Sequence, residues 1–297
     1  VIYTETPVTD AIRQALVTTW GVDGQEERLF GGEESAAYRI GDHVVRIGPT
    51  WRGSAEIEWC HAVARHAVAR LPEAVTPVPT PDGATVIRVE DRPVSLWPYI
   101  EGAWPDAEVP VQREQAARLL ARLHRALADA HPGPRPVPSF AEHGLYGPSD
   151  ARDPADGLPD PALDRWLAEF HRTHTRRHPL HGDYYAGNTL IHDGVITAVL
   201  DWDETFVGVP ELELASAALE WGEDDFPASG KEFIACYLEA GGTAEELDEE
   251  SFAQLLRHRL RREYAYFTKV AAEGVVHDEE NLEYHRARVE LFHRLRP

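Results

Sequence analysis

The stretch from His181 to Asp203 constrains this chain more than any other. His181-Gly182-Asp183-Tyr184-Tyr185-Ala186-Gly187-Asn188 runs straight into the β-prone Thr189-Leu190-Ile191. After His192-Asp193-Gly194 comes a second β-prone run, Val195 to Leu200, which closes on Asp201-Trp202-Asp203. An Asp-Gly turn between two such runs predicts a hairpin. Folding it returns Asp201 to the side of Asn188. Two carboxylates, Asp183 and Asp201, and the Asn188 carboxamide then converge. Hard oxygen donors at one point suit Mg²⁺, which binds few protein ligands and keeps places for water and phosphate.

The rest of the 297 residues narrows the setting. Lys and Arg number 29 against 51 Asp and Glu, a net charge of −22. Nucleic acid and anionic membranes repel such a polyanion, so neither is expected as a partner, whereas a cationic partner is compatible. From Asp201 to Pro297 there are 10 basic and 23 acidic residues. Cys60 and Cys236 are the only cysteines, which excludes a disulfide scaffold or cysteine-rich zinc site. No apolar run approaches the roughly 20 residues of a membrane span. Val1 to Glu5 lacks signal-peptide character, so a cytoplasmic location is expected.

The periodicity divides the chain. Ala37 to Ile40, Gly41-Asp42 and His43 to Ile47 read as a hairpin, and Ser54 as the N-cap of a helix to about Arg70. Ala84 to Val89 and Val94 to Tyr99 read as strands. From Gln112, the spacing of Ala116, Leu119, Leu120, Leu123 and Leu127 is helical. Eight prolines between Pro132 and Pro161 predict a long loop, and everything after Pro210 reads as helix. Strands first and helices later predict an α+β chain in two lobes: residues 1–100, a hinge near 97–102, and residues 101–297.

In kinases one Asp orients the substrate hydroxyl, while an Asn five residues on and a later Asp hold Mg²⁺ on nucleotide phosphates. The His-Gly-Asp-x-x-x-x-Asn loop and the Asp-Trp-Asp segment resemble the aminoglycoside phosphotransferase family, small-molecule relatives of protein kinases. The resemblance implies a two-lobed protein-kinase-like fold, with a small mainly β N-terminal lobe and a larger mainly helical C-terminal lobe. It implies ATP (or GTP) and Mg²⁺ as cofactors, Asp183 as the catalytic residue, and Asn188 and Asp201 as metal ligands. Phe30 to Ala36 resembles the phosphate-covering loop, with Gly31, Gly32 and Ser35 against phosphate. No lysine precedes Lys231, so Arg46 takes the place of the strand cation. Its carboxylate partner would be Glu58 or, alternatively, Glu56. These lie two apart on a helix, so only one can face Arg46. Leu96 to Gly102 resembles the segment that reads the adenine edge, with Pro98 offering a carbonyl and Ile100 an N–H.

Histidines are abundant near these motifs. His124 is expected to pack or cap, and His181 to act as a structural hydrogen-bonder of the loop. His171, His174 and His178 read as a solvated helix end in preference to a metal site. In Gly208-Val209-Pro210-Glu211-Leu212-Glu213-Leu214-Ala215, Glu213 stands where the family tends to have Asp.

The family keeps its acceptor between the catalytic loop and the C-terminal helices. Here Asp203, Glu211, Trp221, Glu223 and Asp224 are the candidate substrate contacts. Acid plus aromatic suits a cationic amino sugar, although solvated helix faces would show the same residues. The expected substrate is therefore a hydroxylated small molecule: an aminoglycoside or related antibiotic or amino sugar, or else choline, homoserine or a sugar. A nucleotide-binding pseudokinase regulator is the non-enzymatic alternative.

Overall fold

The structure, a computed structural model, describes residues 6–29, 34–142, 158–222, 226–272 and 276–296. The N-terminal part builds one antiparallel sheet. Its strands are β1 (Glu27–Leu29), β2 (Ala36–Ile40), β3 (His43–Ile47), β4 (Ile87–Val89) and β5 (Arg92–Pro98), in the order β1-β2-β3-β5-β4. The predicted hairpin has Ile40 opposite His43, and Gly41 at φ 58° makes the turn. Val45, Ile47, Val94 and Leu96 bury one face against Ile12 and Leu16 of α1 (Asp10–Trp20), which Thr9 caps. Helix α2 (Ser54–Val68) starts one residue earlier than predicted, because Gly53 and not Ser54 is its N-cap.

Ala84 to Val86 does not join the sheet as expected. The N–H groups of Thr85 and Val86 donate to the Glu58 carboxylate at 2.7 and 3.2 Å, and Thr85 Oγ1 donates to its other oxygen at 2.6 Å. A backbone engaged by a side chain has no donors left for a ladder.

The helical part contains α3 (Pro110–Leu127), α4 (Pro161–Thr173), α5 (Pro210–Glu220), α6 (Phe226–Glu239), α7 (Glu249–Ala272) and α8 (Glu279–Arg294). Among them lie β6 (His178–Leu180) paired with β9 (Phe206–Gly208), and β7 (Thr189–His192) paired with β8 (Val195–Val199). The β7–β8 turn has Asp193 at φ 49° and Gly194 at φ 78°, as a tight two-residue turn requires. Ala103 and Ile191 exchange backbone hydrogen bonds at 3.0 and 2.8 Å, tying the inter-lobe segment to β7. The observed architecture is thus a two-lobed α+β fold. Among the described residues no helix is long and apolar enough to cross a membrane.

The solvated helix end read at His171 to His178 is corrected. Helix α4 stops at Thr173, His178 enters β6, and both His171 and His178 are buried. His178 Nε2 meets Thr243 Oγ1 at 2.8 Å. Pro179 lacks the N–H a helix needs and sits in a two-stranded ladder instead. Among the described residues no three His, Cys, Asp or Glu are grouped to hold a metal. Much of the proline-rich stretch, 143–157, lies outside the described residues.

Glu213 anchors the loop that follows β6. One buried oxygen accepts from His181 N at 3.1 Å and meets His124 Nε2 at 2.8 Å; the other accepts from Gly182 N at 2.5 Å. His124 Nδ1 in turn meets the Tyr237 hydroxyl at 2.7 Å. Burial alone would raise the Glu213 pKa, but the His124 hydrogen bond, the nearby imidazoles and the Gly182 N–H hold it below the usual carboxylate range. Replacing Glu213 by Ala strands two backbone donors and a histidine in the core. A loss of about 3 kcal/mol or more in urea unfolding is expected; a loss below about 1 kcal/mol would contradict this role.

Candidate active site

The loop geometry comes from a few enforced contacts. Gly182 sits at φ 88°, and a Cβ there would fall 2.1 Å from the Glu204 carbonyl oxygen. His181 Nδ1 accepts from Asp183 N at 3.4 Å, so its Nε2–H donates to Leu200 O, at 2.7 Å. Leu200 N donates to Asn188 O at 2.8 Å. The loop from His181 to Asn188 and the end of β8 are thereby fastened together, as the hairpin predicted. Asn188 Nδ2 donates to Asp183 O at 2.9 Å and to Asp183 Oδ2 at 3.0 Å. Asp201 adopts φ 54°, a left-handed conformation uncommon outside glycine, just where the chain leaves β8.

The cation on β3 reaches this point from the other lobe. Arg46 donates from Nη1 and Nη2 to Asp201 Oδ1, both at 3.2 Å, and from Nη2 to Asp203 Oδ2 at 3.1 Å. Arg52 adds Asp203 Oδ2 at 2.5 Å and Glu204 Oε1 at 3.0 Å. Burial pushes Asp201 up despite Arg46. For Asp203 burial acts the same way, but Arg46 and Arg52 together prevail and hold it at about 2. Burial also pushes Glu204 up to about 7, against the pull of Arg52 and Ser139.

The expected Arg46 partners are corrected. Glu58 is held by Thr85 and Val86, and the alternative Glu56 pairs with Arg52 at 3.6 Å and Arg135 at 3.2 Å. The physical reason is charge: Arg46 faces two aspartates of the other lobe, which outcompete a helix glutamate already engaged elsewhere.

Two cavities meet at these residues. One, of about 330 Å³, is lined by apolar side chains of the sheet and hairpin, by Trp97, Pro98 and Ile100, and by Trp104. The other, of about 390 Å³, contains Asp183, Asp203, Tyr185, Glu220, Arg259 and Glu263, and reaches the aromatic residues of α7 and α8. Ser35, Arg46, Asn188 and Asp201 line both. Of the other sequence candidates, Gly31, Gly32, Glu223 and Asp224 lie outside the described residues.

Glu211 and Trp221 are corrected as substrate contacts. Glu211 is buried and accepts from Glu245 N at 2.7 Å, and Trp221 is wholly buried beside Phe233. They face the inside of the helical packing because α5 is enclosed on nearly all sides. The sequence reading missed Arg52, Arg259, Glu263, Tyr266, Phe267, Tyr284 and His285. A signal was present: Arg259, Glu263, Tyr266 and Val270 recur at three- and four-residue spacing, one face of α7.

Two outcomes check this geometry. Glu58→Ala should cost about 1–2 kcal/mol in unfolding through its lost backbone contacts, while leaving the KM for nucleotide within about twofold. A tenfold rise in that KM would restore Glu58 to the nucleotide site. The Glu204 carboxyl, raised from 4.5 to about 7, lets the folded protein keep a proton that the unfolded chain has released. Stability should therefore fall as pH rises through that window. Glu204→Gln should flatten the slope and raise Tm at pH 8 by about 2–4 °C; an unchanged slope in thermal scans would refute this.

Comparison with known proteins adds the lineage. The pattern of the phosphotransferase enzyme family (APH) matches residues 26–255. Protein StrN of Streptomyces griseus is 29% identical over 243 residues, covering 69% of this chain and 72% of its own. An amicoumacin kinase solved with AMP-PNP, Ca²⁺ and amicoumacin superposes with a TM-score of 0.72 at 17% identity, over 96% of this chain and 93% of that one. A microcompartment-associated aminopropanol kinase gives 0.65 at 20% identity, over 94% of each chain. A spectinomycin phosphotransferase with ADP and spectinomycin gives 0.60 at 15%, over 96% and 97%. These structures share the two-lobed kinase-like fold, and the family match spans well over half of the chain. The chain belongs to the phosphotransferase enzyme family and is a small-molecule kinase.

Proposed function

We propose that this enzyme transfers the γ-phosphoryl group of ATP to a hydroxyl of a small molecule held beside Asp183. The observation that carries the reading is the pair of cavities joined at Ser35, Arg46, Asn188 and Asp201. The apolar cavity takes the nucleotide base, with the Pro98 carbonyl and the Ile100 N–H at its edge. The polar cavity takes the acceptor. Phosphates then lie at the junction, where Arg46 supplies a cation in place of lysine.

The donor set fits a hard divalent cation. Asn188 uses its amide hydrogens on Asp183, which leaves Oδ1 for metal, and Asp201 contributes carboxylate oxygens with lone pairs beyond those facing Arg46. Mg²⁺ bound there would offset phosphate charge. Asp183 accepts the proton of the acceptor hydroxyl as its oxygen bonds to phosphorus. The bond to the β-phosphate oxygen breaks, and ADP leaves. Asn188 and the His181 contact to the Asp183 N–H hold the base in place throughout.

The structural neighbours include an amicoumacin kinase, an aminopropanol kinase and a spectinomycin phosphotransferase, which supports a hydroxylated antibiotic or related metabolite as the acceptor class, and antibiotic resistance is one role such an activity would serve. The aminoglycoside expectation rests on the family, since Glu211 and Trp221 do not reach the cavity. Two free cysteines, Cys60 and Cys236, accord with a reduced, ATP-supplied cytoplasm.

ADP release measured over a panel of aminoglycosides, macrolides, amino sugars and amino alcohols, with mass spectrometry for the added phosphate, identifies the acceptor. Asp183→Ala should lower kcat by about 10²–10⁴-fold. Full turnover in that variant, or nucleotide binding without a phosphorylated product over the whole panel, would defeat the proposal.

A further inference from the structure

Helix α7 places a guanidinium inside the acceptor cavity, and its three nitrogens meet different surroundings. Arg259 Nε donates to Glu263 Oε1 at 2.7 Å, and Nη2 donates to Asp183 Oδ1 at 3.1 Å. Among the described residues Nη1 donates to no protein group. The Phe140 ring lies 5.4 Å from the guanidinium carbon. Glu263 also accepts from Arg288 Nε at 2.8 Å and Nη2 at 2.6 Å, and Arg288 Nη2 reaches Glu220 Oε1 at 2.5 Å. The group is therefore braced by α5, α7 and α8 together. Turning it would break a partly buried network of five charged side chains, which is costly.

Both oxygens of Asp183 are thus occupied, Oδ1 by Arg259 and Oδ2 by Asn188. An acceptor hydroxyl that donates to this carboxylate must approach alongside the guanidinium. Nη1, the guanidinium nitrogen left over from the contacts to Glu263 and Asp183, is then the donor on offer to an atom on the neighbouring carbon. Nη1 only donates and always carries charge. A hydroxyl, ether or carboxylate oxygen at that place gains a charge-assisted hydrogen bond. An ammonium group has no lone pair to accept from Nη1 and faces its charge, while the nearby carboxylates of Glu263 and Glu220 are already engaged by Arg259 and Arg288 and so compensate it less.

We propose that Arg259 is a specificity residue, selecting acceptors that carry an oxygen function on the carbon beside the reacting hydroxyl, as in a vicinal diol or a 2-hydroxy acid, over acceptors with an ammonium group there. This rests on the reading of Asp183 as the group that receives the hydroxyl proton. It concerns which hydroxyl of a molecule is taken as well as which molecule.

A matched pair of probes tests it: trans-cyclohexane-1,2-diol and trans-2-aminocyclohexanol, which share a ring and differ in one group. Binding to the full chain loaded with Mg²⁺ and a non-hydrolysable ATP analogue is read by ligand-observed NMR at pH 7. The diol should bind at least about tenfold more tightly. Arg259→Gln should bring the two within about twofold, and Arg259→Lys should keep part of the preference. With ATP, kcat/KM should rank the probes in the same order. Equal or tighter binding of the amino alcohol, undetectable binding of the diol, or a preference that survives Arg259→Gln would each overturn the proposal. The wild-type comparison needs no variant, so it decides the matter even where Arg259→Gln fails to fold. Full turnover in Asp183→Ala would instead strike the assignment of the base and leave the measured binding preference as it is.

Discussion

At the cleft, the two lobes meet through an arginine and two aspartates. Arg46 belongs to the sheet, and Asp201 and Asp203 follow β8, so the contact joins residues more than 150 positions apart in the chain. Three charged groups removed from most water are tolerable only because each finds an opposite. Arg52 and Arg135 extend the arrangement to Glu204 and Glu56, and the cavities open on either side of it. These ion pairs stand at the cleft, while behind them Trp59, Val63 and Ala67 of α2 share one apolar core with Leu120 and Leu123 of α3. Nucleotide phosphates and a metal entering at Ser35, Arg46, Asn188 and Asp201 would share in charges the protein already balances. On the proposed reading, an acidic enzyme that must hold a polyanionic substrate meets that charge with arginines placed at the junction.

Beneath that contact lies a layer that carries no chemistry but fixes the loop. Glu213, His124 and Tyr237 form a buried chain of hydrogen bonds that ends on the backbone of His181 and Gly182. His181 passes the alignment on to Leu200, and Leu200 to Asn188. The longer Glu, where the family tends to have Asp, reaches both N–H groups.

The sequence disclosed the local part of this and missed the distant part. Asp193-Gly194 announced the hairpin because its positive-φ turn is a property of two neighbouring residues, and the hairpin alone brings Asn188 to Asp201. Lysine scarcity pointed to Arg46 by elimination. What Arg46 would touch depended on how the lobes pack, and a choice between Glu56 and Glu58 made on helix α2 alone lacked the competing aspartates. Trp221 and Glu211 looked like surface recognition groups because α5 has polar residues on several sides, yet neighbouring helices cover them. The opposite error affected α7. Its face of Arg259, Glu263 and Tyr266 has the spacing of an ordinary solvated stripe, and only packing against the loop that carries Asp183 turns it into a cavity wall. Histidines 171 and 178 seemed exposed for a similar reason, as the β6–β9 pairing that buries the second joins segments far apart in the chain.

The left-handed backbone at Asp201 limits what can replace this residue by inheritance. Glycine, asparagine and aspartate enter that region readily, whereas branched or bulky side chains do so at a cost. Glycine would leave Arg46 and any metal without a ligand there, and asparagine would remove the charge that balances the arginine. Conformation and electrostatics therefore prune the twenty choices from two directions and leave one residue that satisfies both. A lineage carrying this fold has little room to drift at that codon, while Arg46, on an ordinary strand, is restricted by charge alone.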